Sequence, residues 1–321
     1  MRELVTKGQY SHQFKVYFDI YYNSIKLVWS LDPNKRLLRA VRYIAKGLLH
    51  PYSSINWASA LKDIPELSLW FHSNPRLILK PSRHYICRSY NFVSRANIIL
   101  NNYSILSRLL SPTLYQSLAK GNLLLMADME GKHGERYQIT LSKTDKFDRE
   151  GELVLGLRNS TQDLDVFWFA FSITRNEDQP RIEIGCFQGP RGNFARELIK
   201  CATKELYGIR PRNILADALY ELASNWRIPM IFGVCNRSRV YNGPQTHADY
   251  DAFWLELGGV LDRDGMFRLP AKLYHHQLSD IPSHHRSEYK RRIRLREELS
   301  KQMILVTKKY EFLAEKIALV N

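Results

Sequence analysis

The spacing of hydrophobic residues divides the chain into a helical first part and a strand-rich second part. Up to about residue 120, apolar side chains recur at intervals of three and four, which is the period of a helix with one buried face. From Asn122 onward, short alternating or continuous apolar runs stand between turn residues, and this pattern predicts strands. The most apolar run, Val166 to Ile173, is predicted to be a central, buried strand. The helical period returns after Pro282.

These changes of pattern predict three regions. Residues 1–120 form a helical N-terminal region, residues 121–281 form a mixed α/β domain, and residues 282–321 form a basic C-terminal helix with a heptad-like apolar repeat. Consecutive strands followed by a strand–loop–helix unit indicate a mixed sheet, so the predicted fold class is α/β, of the α+β kind. We interpret the C-terminal helix as packing on its own domain, although its apolar seam also suits a protein partner.

The stretch from Arg181 to Gly208 is predicted to be a strand, a tight loop and a helix. Its loop, Gln188–Asn193, contains two glycines and a proline, so the chain must bend sharply there. From Phe194 the apolar residues follow the helical period. A glycine-bearing loop at a helix N-terminus presents free backbone N–H groups and the positive end of the helix dipole, which suits a phosphate. Arg191 adds a cation, although a strand–helix connection without any ligand has the same pattern.

The charge balance indicates an anionic partner. The chain has 47 Lys and Arg residues against 32 Asp and Glu residues, a formal net charge of +15. Nucleic acid, acidic lipid and a phosphorylated ligand all fit such an excess. Nucleic acid is the least favoured of the three, because the basic residues are not interleaved with aromatic residues and no nucleic-acid-binding motif is present.

One predicted helix, Asn34–Leu49, has an apolar side and a basic side without acidic residues. The basic stretch Arg286–Arg296 resembles it in charge. A basic amphipathic helix suits an anionic membrane surface. The simpler interpretation, which we prefer at this point, is a helix whose apolar side packs on the core. The apolar side contains Leu37, Leu38, Val41, Ile44, Ala45 and Leu48.

The remaining sequence features predict an intracellular protein without a metal site. The four cysteines form no CxxC pair and lie in apolar segments, so we interpret them as reduced and buried. The paired histidines His275-His276 and His284-His285 lack further ligands at zinc spacing. No signal peptide and no apolar run of membrane-spanning length is present, which indicates a cytoplasmic location, with peripheral attachment to the inner membrane as a further expectation.

Four short motifs resemble the VirK/YbjX family of bacterial proteins. The resemblance covers most of the chain, except that the family's usual His-Tyr pair is Asn102-Tyr103 in this sequence. It implies envelope-related work in Gram-negative bacteria, linked to virulence and to tolerance of antimicrobial peptides, and it implies no particular reaction. The motifs are Glu150–Leu153, Ile184–Pro190, Thr203-Lys204 with Tyr207–Pro211, and Tyr250–Gly259.

A second likeness concerns the fold. A strand, a Gln/Gly loop, two helices and a strand that ends near Asn236 are similar to the core of the GCN5-related N-acetyltransferases, in which the loop holds the pyrophosphate of coenzyme A. The family pattern is Gln/Arg-x-x-Gly-x-Gly/Ala. In this sequence Gly192 follows Gln188 by four positions, and Phe194 stands where the second glycine is expected. The likeness implies acyl-coenzyme A, or another phosphate-bearing acyl donor.

Two functions of different classes therefore stay open. The first is an acyltransferase-like enzyme that modifies an envelope component or a protein amine. The second is a non-catalytic, membrane-peripheral accessory protein that binds anionic lipid and a partner. For the first, the candidates for acid, base or other catalytic roles are Glu152, Asp251, Glu256, Tyr250 and Lys204, with Glu183 and Tyr241 as further candidates. The predicted cofactor-binding residues are Gln188, Gly189, Arg191, Gly192, Asn193 and Asn236.

Overall fold

The computed structural model of the chain describes residues 19, 22–31, 36–176, 179–241, 248–262 and 264–310. The chain separates into two compact units. The helical unit comprises Met1–His84 with Tyr90–Ser104, and the sheet unit comprises Tyr85–Ser89 with Ile105–Asn321. The three regions that the sequence suggests are a different division of the chain and stay a prediction. The mixed α/β fold class is confirmed, and the C-terminal helix is present.

Three short helices of the helical unit begin at prolines. Pro51, Pro65 and Pro75 each stand in the first turn of a helix, where the missing N–H group breaks no helical hydrogen bond. Residues 22–30 are also helical. The helices are α1 (Arg36–Leu49), α2 (Pro51–Asp63), α3 (Pro65–Ser73), a 3-10 helix (Pro75–Ser82) and α4 (Phe92–Leu109), whose end belongs to the sheet unit.

The helical unit has an aromatic core. Trp57 is buried, and its indole Nε1 donates a hydrogen bond to the carbonyl oxygen of Ile78 at 3.0 Å. The rings of Trp70 and Tyr103 pack with centroids 4.8 Å apart. Burial of such large side chains is the main stabilising contribution available to short helices of this kind, because isolated helices of this length are marginal in water.

Eight strands form one sheet among the described residues, in the order β1-β2-β3-β4-β5-β6-β8-β7. The strands are β1 (Leu124–Glu130), β2 (Arg136–Lys143), β3 (Leu153–Asn159), β4 (Leu164–Asn176), β5 (Gln179–Gln188), β6 (Met230–Val234), β7 (Val260–Leu261) and β8 (Met266–Arg268). The helices of this unit are α5 (Pro112–Ala119), α6 (Ala195–Glu205), α7 (Pro211–Asn225), α8 (Tyr250–Glu256) and α9 (Arg286–Tyr310), with 3-10 helices at Leu278–Asp280 and Ser283–His285.

The direction of pairing changes at β5. Strands β1 to β5 are joined by antiparallel pairs, whereas β5 and β6 run parallel. A parallel pair needs a crossover connection, and α6 and α7 supply it. Strand β4, predicted to be central and buried, pairs on both edges and is buried from Val166 to Thr174 except at Trp168. The strand–loop–helix prediction for Arg181 to Gly208 is confirmed.

The C-terminal helix α9 packs on β1 and α7 of its own unit. The Gln302 side chain both accepts from the N–H of Asp128 at 2.7 Å and donates to its carbonyl oxygen at 2.9 Å. Leu299 and Met303 of the predicted apolar seam are buried. The interpretation that this helix packs on its own domain is therefore confirmed over these residues. Val306 of the same seam is half-buried, and its later residues Leu313, Ile317 and Val320 lie outside the described residues.

Two expectations about burial were wrong. Cys201 is exposed on α6, while Cys87, Cys186 and Cys235 are buried as expected. Helix α1 buries Ala40 and Tyr43, and it exposes the side that we expected to pack on the core. The exposed residues of that side include Leu37, Leu38, Val41 and Leu48. No helix in the described part of the chain is long and apolar enough to cross a membrane.

Candidate functional site

A cavity of about 900 Å³ opens at the carboxyl end of β5. Every residue of the predicted loop, Gln188–Asn193, lines it. The starts of α6, α7 and α8 complete the wall, together with the rings of Phe167 and Phe187. Open α/β sheets bind ligands outside the carboxyl ends of their strands, at the point where strand connectivity changes direction. This cavity fits the first part of that rule, because it lies at the carboxyl end of β5, a strand of the one parallel pair among the described strands.

The two parallel strands separate before they reach the cavity. The ladder between them begins at Arg181 and Met230 and ends at Ile184 and Gly233. Beyond that point the N–H of Phe187 donates to the hydroxyl of Tyr250 at 3.3 Å. The Tyr250 side chain of α8 therefore accepts the hydrogen bond that a neighbouring strand would otherwise accept from β5. The cavity lies where β5 and β6 are no longer paired.

Gly189 and Gly192 of the loop are each required for a different structural reason. Gly192 has φ +102°, a left-handed backbone conformation that residues with a side chain rarely adopt. Gly189 instead lies in a tight place, because a Cβ atom there would be 3.0 Å from Ile199 Cδ1 and 3.2 Å from Phe167 Cε2. The loop therefore holds its shape through backbone conformation at one glycine and through close packing at the other.

Two helix N-termini face the cavity without side-chain caps. Phe194 precedes α6 and Arg210 precedes α7, and neither side chain makes a cap hydrogen bond. The first N–H groups of an α-helix have no partners within the helix, and they carry the positive end of its dipole. Residues Ala195 and Pro211 of these first turns lie in the cavity wall. Pro211 has no N–H, and the N–H of Ala195 donates to the carbonyl oxygen of Gly192 at 3.2 Å, so these two residues contribute the helix dipole and no free donor. Both helices therefore favour a negative charge at the same place.

Three arginines add positive charge to the wall: Arg191, Arg210 and Arg212. The Arg191 guanidinium donates to the Gln188 side chain at 3.3 Å and lies 5.6 Å from the ring centroid of Tyr241. The Arg212 guanidinium lies 4.7 Å from the ring centroid of Phe253. Stacking on aromatic rings leaves the donor edge of a guanidinium available for anions.

Glu256 neutralises part of this charge. Its carboxylate lies 2.5 Å from Arg212 Nη2 and 3.6 Å from Arg210 Nη1, and it accepts a hydrogen bond from Asn213 at 3.2 Å. Glu256 does not itself line the cavity. Glu256 is therefore the protein's own counter-ion to Arg210 and Arg212. An anion in the cavity would compete with the Glu256 carboxylate for these two guanidinium groups.

A hydrogen-bond cluster fixes the start of α8 against the end of β6. The Asn236 side chain donates to Asp249 at 2.7 Å and accepts from the N–H of Tyr250 at 3.0 Å, while its own N–H donates to Asp251 at 2.8 Å. Asp249 also caps α8 by accepting from the N–H of Ala252. Asn236 and Asp251 thus hold α8 in position and do not line the cavity.

Asp249 is the one carboxylate among the described residues that line the cavity. Hydrogen bonds from the N–H of Ala252 and from the Asn236 side chain lower its pKa below the ordinary value. A carboxylate with a lowered pKa is a weaker proton acceptor. Asp249 is therefore better suited to hold a positively charged group than to remove a proton from one.

Tyr250 combines stacking with two hydrogen bonds. Its ring lies on Phe187 with centroids 4.3 Å apart, and its hydroxyl donates to Cys186 Sγ at 3.3 Å. Burial raises the pKa of Tyr250 well above its ordinary value, and the neighbouring Cys186 raises it further. Burial likewise raises the pKa of the Cys186 thiol to about 12, so that this cysteine is a thiol at neutral pH.

The other predicted catalytic residues lie away from the cavity. Glu152 is buried and accepts a hydrogen bond from the Tyr85 hydroxyl at 2.6 Å. Burial raises the pKa of Tyr85 well above its ordinary value, and the Glu152 carboxylate raises it further. Glu183 is buried in β5 and forms an ion pair with Arg181 at 2.5 Å. Lys204 is exposed near the end of α6 and is not part of the cavity wall.

Neither Arg210 nor Arg212 was predicted from the sequence to bind a ligand, although both line the cavity. Both residues flank Pro211, the first residue of α7. Proline at the first position of a helix is a recognisable signal. The second helix N-terminus could therefore have been predicted as a candidate phosphate site in the same way as the first.

The comparisons with known proteins agree with the motifs. Residues 33–304 match the model of the family described as "Protein of unknown function (DUF535)". The chain belongs to the DUF535 family. It is 26% identical over 269 residues to the YbjX protein of Escherichia coli K12, covering 82% of this chain and 81% of that protein. The resemblance to the VirK/YbjX family is therefore confirmed.

Two proteins of Haemophilus influenzae are also similar. One is 25% identical over 217 residues, covering 66% of this chain and 71% of that protein. The other is 29% identical over 169 residues, covering 51% and 56%. No solved structure matches the chain. The residues that match the DUF535 model include all of those that line the cavity and all of helix α1.

Two glycines of the family motifs lie where a side chain would not fit. A Cβ atom on Gly185 would lie 2.1 Å from the carbonyl oxygen of Glu150, and one on Gly151 would lie 2.5 Å from the backbone nitrogen of Phe171. Neither backbone neighbour can move aside cheaply. These motifs thus bring the start of β3 against β4 and β5, and β5 carries the loop that lines the cavity.

Proposed function

We propose that the cavity binds a phosphate-bearing acyl donor, such as an acyl-coenzyme A, and that the protein transfers the acyl group to an amine. The observation that carries this proposal is the convergence of two uncapped helix N-termini and three arginines on one cavity at the end of β5. Backbone N–H groups and guanidinium groups are the donors that bind phosphate in proteins. A cavity of about 900 Å³ has the size of a small-molecule site.

The likeness to GCN5-related acetyltransferases supports the choice of donor. In those enzymes the loop that corresponds to Gln188–Asn193 holds a pyrophosphate. The longer interval between Gln188 and Gly192 contains Arg191, so the loop of this chain offers a cation in addition to its N–H groups. Phe194, which replaces the second glycine, is 58% exposed and does not line the cavity.

The transfer would proceed by attack of the amine nitrogen on the acyl carbonyl carbon. The bond from that carbon to the donor's leaving atom, a thiolate sulfur in a thioester, then breaks. The amine loses a proton and the leaving thiolate gains one. Asp249 is suited to hold the ammonium form of the acceptor at the cavity, with its proton passing to water. Tyr250 can supply a proton only by giving up its hydrogen bond to Cys186, and its raised pKa makes this slow.

The acceptor we propose is an amine of an envelope component or of another protein. This agrees with the envelope-related work, virulence and antimicrobial-peptide tolerance that the VirK/YbjX family resemblance implies.

Ligand-dependent thermal stabilisation tests the proposal. A donor at about 100 times its dissociation constant stabilises the folded state by about 2.7 kcal/mol. We expect acyl-coenzyme A, coenzyme A and inorganic pyrophosphate to raise the melting temperature, and Arg212→Ala to reduce this shift. Lys200→Ala is the matched control, because Lys200 lies on α6 outside the cavity. Absence of any shift with all three ligands would reject the cavity as an anion site.

Product analysis then separates binding from transfer. Incubation with acyl-coenzyme A and small primary amines, followed by mass spectrometry, would show an acylated amine if the chemistry is right. Binding without transfer would reject acyltransferase activity toward these acceptors and leave the anion site in place.

The second candidate function is a non-catalytic accessory protein at an anionic membrane surface, with the C-terminal helix as the site of a protein partner. The exposed apolar side of α1 supports the membrane contact. The cytoplasmic face of the inner membrane is the surface that we propose for it. The burial of Leu299 and Met303 against the sheet unit leaves less of the predicted seam for a partner.

A further inference from the structure

Helix α1 has three surface sectors that follow from its helical geometry. Successive residues of an α-helix are rotated by about 100°, so residues four and seven positions apart lie on one side. Ala40, Tyr43 and Gly47 face inward and are buried. Leu37, Val41 and Leu48 lie together on a second side, and Arg42 and Lys46 lie on a third.

The second sector is apolar and open. Leu37 is 64% exposed, Val41 53% and Leu48 74%. Leu38, Leu49 and Tyr52, which border this sector, are 51%, 68% and 72% exposed. Single exposed apolar residues are normal in proteins, but a contiguous set of this size marks an interaction site.

The charge beside this sector has one sign. Arg42 and Lys46 are both exposed. The sequence contains no acidic residue between Asp32 and Asp63, so α1 itself has no carboxylate that could compensate them. An exposed apolar sector bordered by basic residues is the pattern of a helix that lies in the interface of an anionic membrane.

We propose that α1 with the first turn of α2 binds the surface of an anionic lipid membrane. The apolar sector would enter the boundary between headgroups and acyl chains, and Arg42 and Lys46 would contact lipid phosphates. A second copy of this chain is the weaker alternative occupant, because pairing the same surface would bring two sets of positive charges together. This surface is independent of the acyl-donor cavity, since it shares no residue with the cavity and takes part in no reaction.

Sedimentation of the full chain with lipid vesicles tests the surface. One set of vesicles contains phosphatidylcholine alone, and the other contains about one third phosphatidylglycerol, which gives the negative surface potential that attracts basic segments. We expect binding to the anionic vesicles only, and weaker binding as salt rises. Equal binding to both vesicle types, or none to either, would overturn the proposal.

Paired variants distinguish the two contributions. Leu37→Ser with Leu48→Ser removes apolar contact, and Arg42→Gln with Lys46→Gln removes charge. We expect each pair to weaken binding by about tenfold, with the second pair also reducing the salt dependence. The controls are Leu305→Ser, which is 67% exposed on α9, and Lys200→Gln on α6.

Folding and self-association of the variants decide whether this surface binds lipid or protein. Because all substituted side chains are exposed, the variants should unfold at the same temperature as the parent chain. Loss of binding in the Leu305 control, or retained binding in both α1 pairs, would reject the assignment. A concentration-dependent dimer in solution that Leu48→Ser abolishes would also reject the lipid assignment, because the apolar sector would then bind a second copy of the protein. Arg212→Ala should leave vesicle binding unchanged even if the acyl-donor proposal fails.

Discussion

Tyr250 binds Phe187 twice, once through its ring and once through its hydroxyl. The two rings stack with centroids 4.3 Å apart, and the backbone N–H of Phe187 donates to the Tyr250 hydroxyl at 3.3 Å. One residue of α8 thus supplies both apolar contact and a hydrogen-bond acceptor to the last part of β5. The position of the cavity wall depends on this pair, because the parallel ladder has already ended at Ile184.

Tyr250→Phe separates the two interactions. The ring contact remains, while the buried N–H of Phe187 loses its acceptor, so we expect the free energy of unfolding to fall by about 1–3 kcal/mol. Tyr250→Ala also removes the ring and should cost about 3–5 kcal/mol. Urea unfolding followed by tryptophan fluorescence measures both. Equal losses for the two variants would show that the ring contact contributes nothing.

Glu256→Gln should strengthen anion binding at the cavity. The substitution removes the carboxylate that pairs with Arg210 and Arg212 while keeping an amide of the same size. Because the pair is partly exposed, we expect a gain of about three- to tenfold in affinity for inorganic pyrophosphate, measured by calorimetry. Glu197→Gln on α6 is the control, since Glu197 lies outside the cavity. The gain should vanish in the background of Arg212→Ala and Arg210→Ala; a persistent gain would place the anion elsewhere.

Gly185→Ala should destabilise the sheet strongly. Its Cβ atom would lie 2.1 Å from the carbonyl oxygen of Glu150, so backbone must shift, and we expect a loss of more than about 3 kcal/mol. Gly156→Ala is the matched comparison within β3, because its nearest neighbour is the Thr140 side chain at 3.0 Å. That variant should lose less, and chemical denaturation of both proteins compares them. Similar losses would show that the close approach of Glu150 is not what requires glycine at this position.

The charge of Asp249 makes a contribution to stability that depends on pH. Its pKa is lower in the folded state than the ordinary value of 3.8. The contribution is therefore fully present above that value and is lost as pH falls through the lower folded pKa. Asp249→Asn should be less stable than the parent at neutral pH, and the two stabilities should converge on acidification. Asp249→Ala loses the helix cap as well, at about 1 kcal/mol. A pH-independent difference between parent and Asn variant would contradict this account.

Cys201 should be the first cysteine to react in the folded protein. It is exposed, while Cys87, Cys186 and Cys235 are buried, and burial raises the pKa of Cys186 to about 12. Brief treatment with a maleimide followed by peptide mass spectrometry should label Cys201 well before the other three. Fast labelling of Cys186 would mean that the packing between Tyr250 and β5 opens readily.

The sequence predicted long, strongly periodic elements well. The helical first part, the strand from Val166 to Ile173 and the strand–loop–helix around Gly192 are all present. The two-residue strand β7 was missed because it is too short to show any alternation. The loop of the cavity was recognisable because glycine, proline and a change of period mark it locally.

What the sequence could not supply was contact between distant segments. Arg212 lines the cavity because α7 begins at the same wall as the loop, and no local sequence pattern shows that two such distant segments meet. At α1 the sequence led to a wrong prediction: the apolar side of the helix was expected to pack on the core, and it is exposed. A pattern shows that a helix has two different sides, but only the neighbouring elements decide which of them is buried.

The separation of β5 and β6 also affects the order in which the molecule can be assembled. Strands β1 to β5 can form by successive pairing of neighbours in the chain, whereas β6 must wait for α6 and α7 to fold between it and β5. The cavity needs α8 in addition, since Tyr250 closes its wall. We therefore expect pulse-labelled hydrogen exchange to show β6 protected after β2 to β4. In that order, the cavity that we propose as an anion site is the last part of the fold to form. Protection of β6 before the other strands would contradict this order.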